Sequence, residues 1–190
     1  MSEGIRTNVL GYHVNDIERC AKFIEDKNYL IISNDKFWLG KGMYFWDNNA
    51  NANYWMKEKK RKDPHNKYVK VIANIYTDED ILLDLSNKEV VNLVGEIWKE
   101  YCKKNNEKIN QPLGVKIDKI LKFFEEDFID IKIIKGIGEY KKSNTDGKYC
   151  GPKINFNHKV IYCIRHHEIA INRKVLGSWY YEGIGDIKQM

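Results

Sequence analysis

Hydrophobic and polar positions alternate along the chain in a mixture of two periods. Residues 7 to 14, TNVLGYHV, read as a short strand with Gly11 inside it, a placement that marks a bend or a close backbone approach. Asn15 and Asp16 are suited to cap a helix running through IERCAKFIEDK, where Ile17, Ala21 and Ile24 recur at helical spacing. YLIIS leads into a polar turn, SNDK, and then into WLGKGMYFW, whose Gly40 and Gly42 sit at alternate positions directly before an aromatic strand. DNNANANYWMKEKKRK predicts a helix with Ala52, Trp55 and Met56 inward and a basic end that complements the helix dipole. KYVKVIANIY alternates as a half-buried strand, and ILLDLS is a further short strand. Ser86 or Asn87 caps a helix over residues 87 to 104, with Val90, Val94, Ile97 and Tyr101 in register. A polar loop over residues 105 to 115 contains Pro112 and Gly114. A helix over residues 116 to 129 turns Ile117, Ile120, Leu121 and Phe124 inward. DIKIIKG is a strand, GEYKKSNTDGKYCGPKINFN a long polar loop, KVIYCIR a strand, and EIAINRKVLGSWYYEGIG a last strand with a tail. No repeat and no boundary interrupts this order. It favours one α+β domain over residues 1–190 rather than a doubly wound parallel sheet.

Composition adds limits. A chain of 190 residues with 43% hydrophobic and 31% charged residues suits one domain with a real core. The formal charge of +5 permits an acidic partner without naming one. Cys20, Cys102, Cys150 and Cys163 form no close pair, and the sequence shows neither the apolar run of a signal peptide nor a span of about 20 apolar residues. The expectation is a cytoplasmic protein with free thiols and no membrane partner.

The first constellation with chemical content is His13, followed some thirty residues later by G-x-G-x-Tyr44. Glycines let a backbone come close to a neighbour, a Tyr offers a stacking face for a flat ring, and a His can hydrogen-bond a ribose hydroxyl through one ring nitrogen. A core histidine and a core strand aromatic remain the alternatives for these two. Cys150, His158, Cys163, His166 and His167 cluster without zinc-ligand spacing, so no metal is expected. No nucleophile elbow surrounds Cys20 or Cys163.

GYHV, WLGKGMYFWD and the following NANANYW resemble the catalytic half of ADP-ribosyltransferases of the diphtheria-toxin and poly(ADP-ribose) polymerase class, with the style of small bacterial and phage members. The specific match covers residues 10 to 56, and a weaker one covers 158 to 171. The resemblance implies a split β-sheet core with peripheral helices, and it makes residues 38 to 46 a strand-edge segment of a nucleotide pocket. His13 would hold the adenosine-side ribose of NAD. The backbone of Val14, where the family usually has Gly, would face the nicotinamide amide. Gly40 and Gly42 would line the pocket, and Tyr44 would stack on the nicotinamide. Tyr54 would cover the other face, or Trp55 would do so, since the offset from Tyr44 is one residue short for Tyr54.

The third family position, often Glu, falls on Ile161, with Tyr162 or Lys159 if the strand slides. A carboxylate there would stabilise charge building on the ribose. A His-Tyr-Ile set fits either a mono-transferase or an inactive relative. Glu168 lies at the far end of that strand. Glu139 sits in the preceding loop as an acceptor-side acid or a solvated residue. Arg165, His166 and His167 form a basic end for phosphates or a polar turn.

The resemblance therefore implies a mono-ADP-ribosyltransferase using NAD as co-substrate on a macromolecular acceptor, whether protein, RNA or DNA. It also suggests a toxin or effector with an antitoxin or immunity protein as partner. A non-catalytic binding module on the same fold is the second reading. A nucleic-acid-binding protein, suggested by the charge and by KEKKRK, is the third.

Overall fold

A computed structural model describes residues 7–124, 126, 130–139 and 158–176 of the chain. Among these residues the order is β1 (Thr7–Asp16), α1 (Ile17–Glu25), β2 (Ser33–Asp35), β3 (Gly40–Trp46), α2 (Asn49–Lys62), β4 (Tyr68–Thr77), β5 (Leu82–Asp84), α3 (Lys88–Asn105), α4 (Leu113–Phe123), β6 (Ile133–Glu139), β7 (His158–Ile164) and β8 (Ala170–Val175), with short 3-10 turns before β5 and β8. The expected mixture of helices and strands is present. The strands form one eight-stranded sheet in the order β5-β6-β7-β3-β1-β4-β8, with β2 paired to β3. All pairings are antiparallel except β5 with β6. No described helix is long and apolar enough to cross a membrane.

The period-two pattern divides the core between the two faces of the sheet. Ile133, Tyr162 and Ile164 join Met43 and Phe45 beneath Cys20 and Phe23 of α1. Their neighbours Ile134, Ile161 and Cys163 join Ala52 of α2 and Ile117 of α4 on the opposite face. Helix α3 packs outside α4 through Val94, Trp98, Cys102 and Ile120. Burying both faces explains why β7 reads as a nearly continuous apolar run rather than an alternating one.

Several expectations shift. Segment 38–46 is not at a sheet edge, because β3 lies between β7 and β1. SNDK is not simply a turn. Ser33 to Asp35 pair with Gly42 to Gly40, so sheet pairing overrides the turn preference of Asn34, and the turn follows at residues 36–39. Helix α1 turns Cys20 and Phe23 fully inward, and the expected face of Ile17, Ala21 and Ile24 lies at its border. Helix α4 begins at Leu113 after Pro112 and ends at Phe123, not over residues 116 to 129. Pro at the cap removes a donor the helix start does not use. Gly114 lies within helix α4, where a Cβ would collide with the carbonyl oxygen of Asp35. Gly138 and Glu139 belong to β6. The remainder of the long loop with Cys150, and the tail from residue 177, lie outside the described residues.

Candidate functional site

The joint between β1 and β3 is the weakest in the sheet. The two strands are in register only at Tyr12 and Trp46, whereas β1 pairs with β4 along its whole length. Continued antiparallel register would set Val14 opposite Tyr44. The strands part there instead, and β2 occupies the side of β3 that β1 has left. In place of the missing ladder bond, the His13 ring meets the Tyr44 carbonyl oxygen at 2.7 Å through Nδ1. The opening is a cleft of about 270 Å³ whose walls include His13, Val14, Tyr44, Trp55 and Ile161. That is just below the lower end of ligand sites, roughly 300–1,000 Å³.

His13 is 7% exposed. Burial lowers its pKa from 6.5 to about 4, assisted by the Lys59 charge and opposed by the Tyr44 carbonyl and Asp16. The ring is therefore neutral near pH 7. Because Nδ1–H donates to the carbonyl, Nε2 carries the lone pair, and the Asn15 amide donates to it at 3.3 Å. In this assigned tautomer the single Nε2 lone pair is already taken by Asn15, and a ligand hydroxyl would reach it only by displacing that amide. The same shift predicts a pH dependence. With the folded-state pKa depressed, the contribution to stability is full above the unfolded value of 6.5 and is lost as pH falls through about 4. It should amount to something on the order of 3 kcal/mol. Urea midpoints of wild type and His13→Gln should converge as pH falls from about 7 to about 4. A constant gap would show that His13 is not held neutral.

Tyr44 is fixed by its hydroxyl, which donates to the Gly40 carbonyl at 2.6 Å and accepts the Leu39 N–H at 3.1 Å. Burial raises its pKa, so it stays protonated. The two glycines serve this turn rather than the cleft. Gly40 has φ of +80°, and a Cβ there would lie 2.5 Å from a carboxylate oxygen of Asp118. That carboxylate accepts the Lys41 N–H at 3.0 Å and pairs with Arg165 at 2.8 Å. A Cβ on Gly42 would strike Cys163 Sγ and lie 2.8 Å from the Ile164 carbonyl. Their missing side chains make room for α4 and β7, and neither glycine is on the cleft wall.

The structure brings His13, Val14, Tyr44 and Ile161 together and leaves Tyr54 outside. Tyr54 is 47% exposed on α2, edge-on to Trp55 with ring centres 6.2 Å apart. Trp55 occupies the wall, stacked on Trp46 at 5.4 Å. Its indole Nε1 is buried and has no hydrogen-bond partner among the described residues. Ile161 is 1% exposed. Lys159 lies over the Trp38 ring at 4.4 Å, and neither it nor Tyr162 reaches the cleft. Glu139 faces His158 at 3.3 Å. Glu168 faces Lys132 and His166 away from the cleft. Arg165 is engaged by Asp118. His166 and His167 stack at 4.5 Å, and their ligating atoms come within 4.8 Å of one another and of Glu168. Cys20 and Cys163, both with pKa raised to about 12 by burial, are poor nucleophiles.

Sequence reasoning missed Asp35, Arg19 and Lys59, which also line the cleft. The Asp35 carboxylate accepts the N–H groups of Phe37 and Trp38 at 2.9 and 3.2 Å. Arg19 faces Asp16 at 3.5 Å, and Lys59 has its pKa lowered by burial. Each looked like an ordinary surface charge, and only the packing of α1 and α2 beside the joint turns Arg19 and Lys59 toward it.

No family model and no solved structure matches this chain. Over 90 residues it is 31% identical to Uncharacterized protein MJ0359 of Methanocaldococcus jannaschii, a stretch covering 46% of this chain and 42% of that protein. The similarity thus spans less than half of either.

Proposed function

We propose that the chain is an NAD-dependent mono-ADP-ribosyltransferase acting on a macromolecule. The observation that carries this reading is the parting of β1 from β3 with a neutral, buried His13 bridging the gap to the Tyr44 carbonyl. The parted joint supports this reading, within one sheet in which β1 and β3 still meet at Tyr12 and Trp46. A ribose hydroxyl that displaces the Asn15 amide would take up the Nε2 lone pair of His13. Tyr44 and Trp55 provide the aromatic walls for the ring. Arg19 and Lys59 supply positive charge at the same cleft for the diphosphate. Holding the ring and the ribose apart from water favours breakage of the glycosidic bond, with nicotinamide leaving and charge developing on the ribose.

Ile161, fully buried where the family often has an acid, favours a second reading as a binding module without turnover. One experiment separates the two. Incubating the protein with NAD should quench tryptophan fluorescence from Trp46 and Trp55. Adding cell lysate should release nicotinamide and move an adenylate label onto a macromolecule. Quenching without release supports the binding module, and the absence of both removes NAD from the account.

A further inference from the structure

One helix carries both a wall of the cleft and a separate basic surface. On α2, Ala52 is buried against the sheet while Trp55 and Lys59 line the cleft. The other side holds Tyr54, Lys57 and Arg61, at spacings of three and four residues that place them on one face. All three are exposed, as are Lys60 and Lys62. Residues 57 to 63 contain five cations against Glu58 and Asp63. Glu58 takes one guanidinium nitrogen of Arg61 at 2.9 Å, leaving the other donors of that fork. Lys70 adds charge alongside, held by Asn49 and Asn53.

We infer that this face docks a single-stranded nucleic acid as the acceptor, an inference that rests on the NAD reading only for the transfer step. A row of cations suits a phosphate backbone, and an exposed tyrosine ring within it suits a base, which every nucleotide offers. An acidic protein would use the cations but would gain nothing comparable from Tyr54. The face and the cleft are separated by one helix, about 10–12 Å across, so a strand lying on the face brings its neighbouring nucleotides to the cleft mouth. In the transfer, the bond between the ribose anomeric carbon and the nicotinamide nitrogen breaks, and neutral nicotinamide leaves with the bonding pair. A base nitrogen or sugar hydroxyl forms the new bond to that carbon and releases its proton to solvent.

The test uses the full chain with fluorescent single-stranded RNA and single-stranded DNA, with duplex DNA and a protein extract as competing acceptors. Wild type should bind a single strand with a salt dependence that flattens by about 1.4 in log–log slope in Lys57→Glu/Arg61→Glu, as expected for two lost phosphate contacts. That variant should bind at least tenfold more weakly and lose label transfer to the strand, while its NAD-induced fluorescence quench stays at the wild-type level. Whether RNA or DNA carries the label identifies the polymer. Oligonucleotide affinity unchanged by the charge reversal, tighter binding to duplex, or label found only on protein overturns the inference. Weakened strand binding in a protein that never releases nicotinamide keeps the docking face and removes the transfer step instead.

Discussion

Tyr44→Ala is expected to lower nicotinamide release at least a hundredfold, and Tyr44→Phe to keep it within about tenfold of wild type. The two variants separate the roles of ring and hydroxyl. Tyr44 lines the cleft, and under the proposed transferase reading its ring is the stacking partner that orients the leaving group. The hydroxyl instead closes the turn between Leu39 and Gly40, with bonds of 3.1 and 2.6 Å. Losing it leaves a partly buried carbonyl and N–H without that partner, at about 1–3 kcal/mol. Losing the ring as well adds a cavity, for a total of about 3–5 kcal/mol. Tyr44→Phe should therefore be measurably less stable yet active, and Tyr44→Ala less stable still and inactive at a temperature where circular dichroism shows it folded. A folded Tyr44→Ala that releases nicotinamide like wild type would sink the stacking role. A folded Tyr44→Phe as inactive as Tyr44→Ala would move the chemistry from the ring to the turn.

What the sequence made legible follows from which interactions are local. The helix caps Asp16 and Asn87 act within three residues, and both accept the backbone N–H groups expected of them. The strands containing His13, Tyr44 and Ile161 were readable from period and composition, because buried strands select β-branched and aromatic residues. The reason for Gly40 and Gly42 was not readable. Their lost side chains accommodate Asp118 on α4 and Cys163 on β7, which are distant in sequence. The choice between Tyr54 and Trp55 depends on how α2 rolls against the sheet. The offset in sequence left both open, while packing against Trp46 puts Trp55 inside. The cleft cations were hidden for the same reason, since α1 and α2 each present many charges and only tertiary packing picks out Arg19 and Lys59.

The largest stability effect is expected far from the aromatic walls, at Arg173 on β8. The five N–H groups of its guanidinium are shared among six backbone carbonyls, those of Phe23, Asp26, Lys27, Tyr29, His167 and Ala170, at 2.8 to 3.1 Å. It also lies 4.2 Å from the centre of the Phe23 ring. Four of those carbonyls come from the last turn of α1 and the residues after it, where a helix leaves its carbonyl groups unpaired. Arg173 thus caps α1 from another strand and ties it to the sheet edge. Lysine brings one charge and three donors without the planar fork, so Arg173→Lys loses at least three of these six contacts, while the Asp26 and His167 carbonyls keep the Tyr29 and Ala170 N–H groups as partners. With charged hydrogen bonds worth roughly 1.5–3 kcal/mol each and some of these carbonyls open to water, the loss should be about 3 kcal/mol for Arg173→Lys and larger for Arg173→Ala. Hydrogen exchange should rise first over residues 20–31. Because α1 carries Arg19 at the cleft, the NAD-induced quench should weaken in Arg173→Lys even though Arg173 is not on the cleft wall. Denaturation midpoints within about 0.5 kcal/mol of wild type would show that α1 holds its place through Cys20 and Phe23 alone.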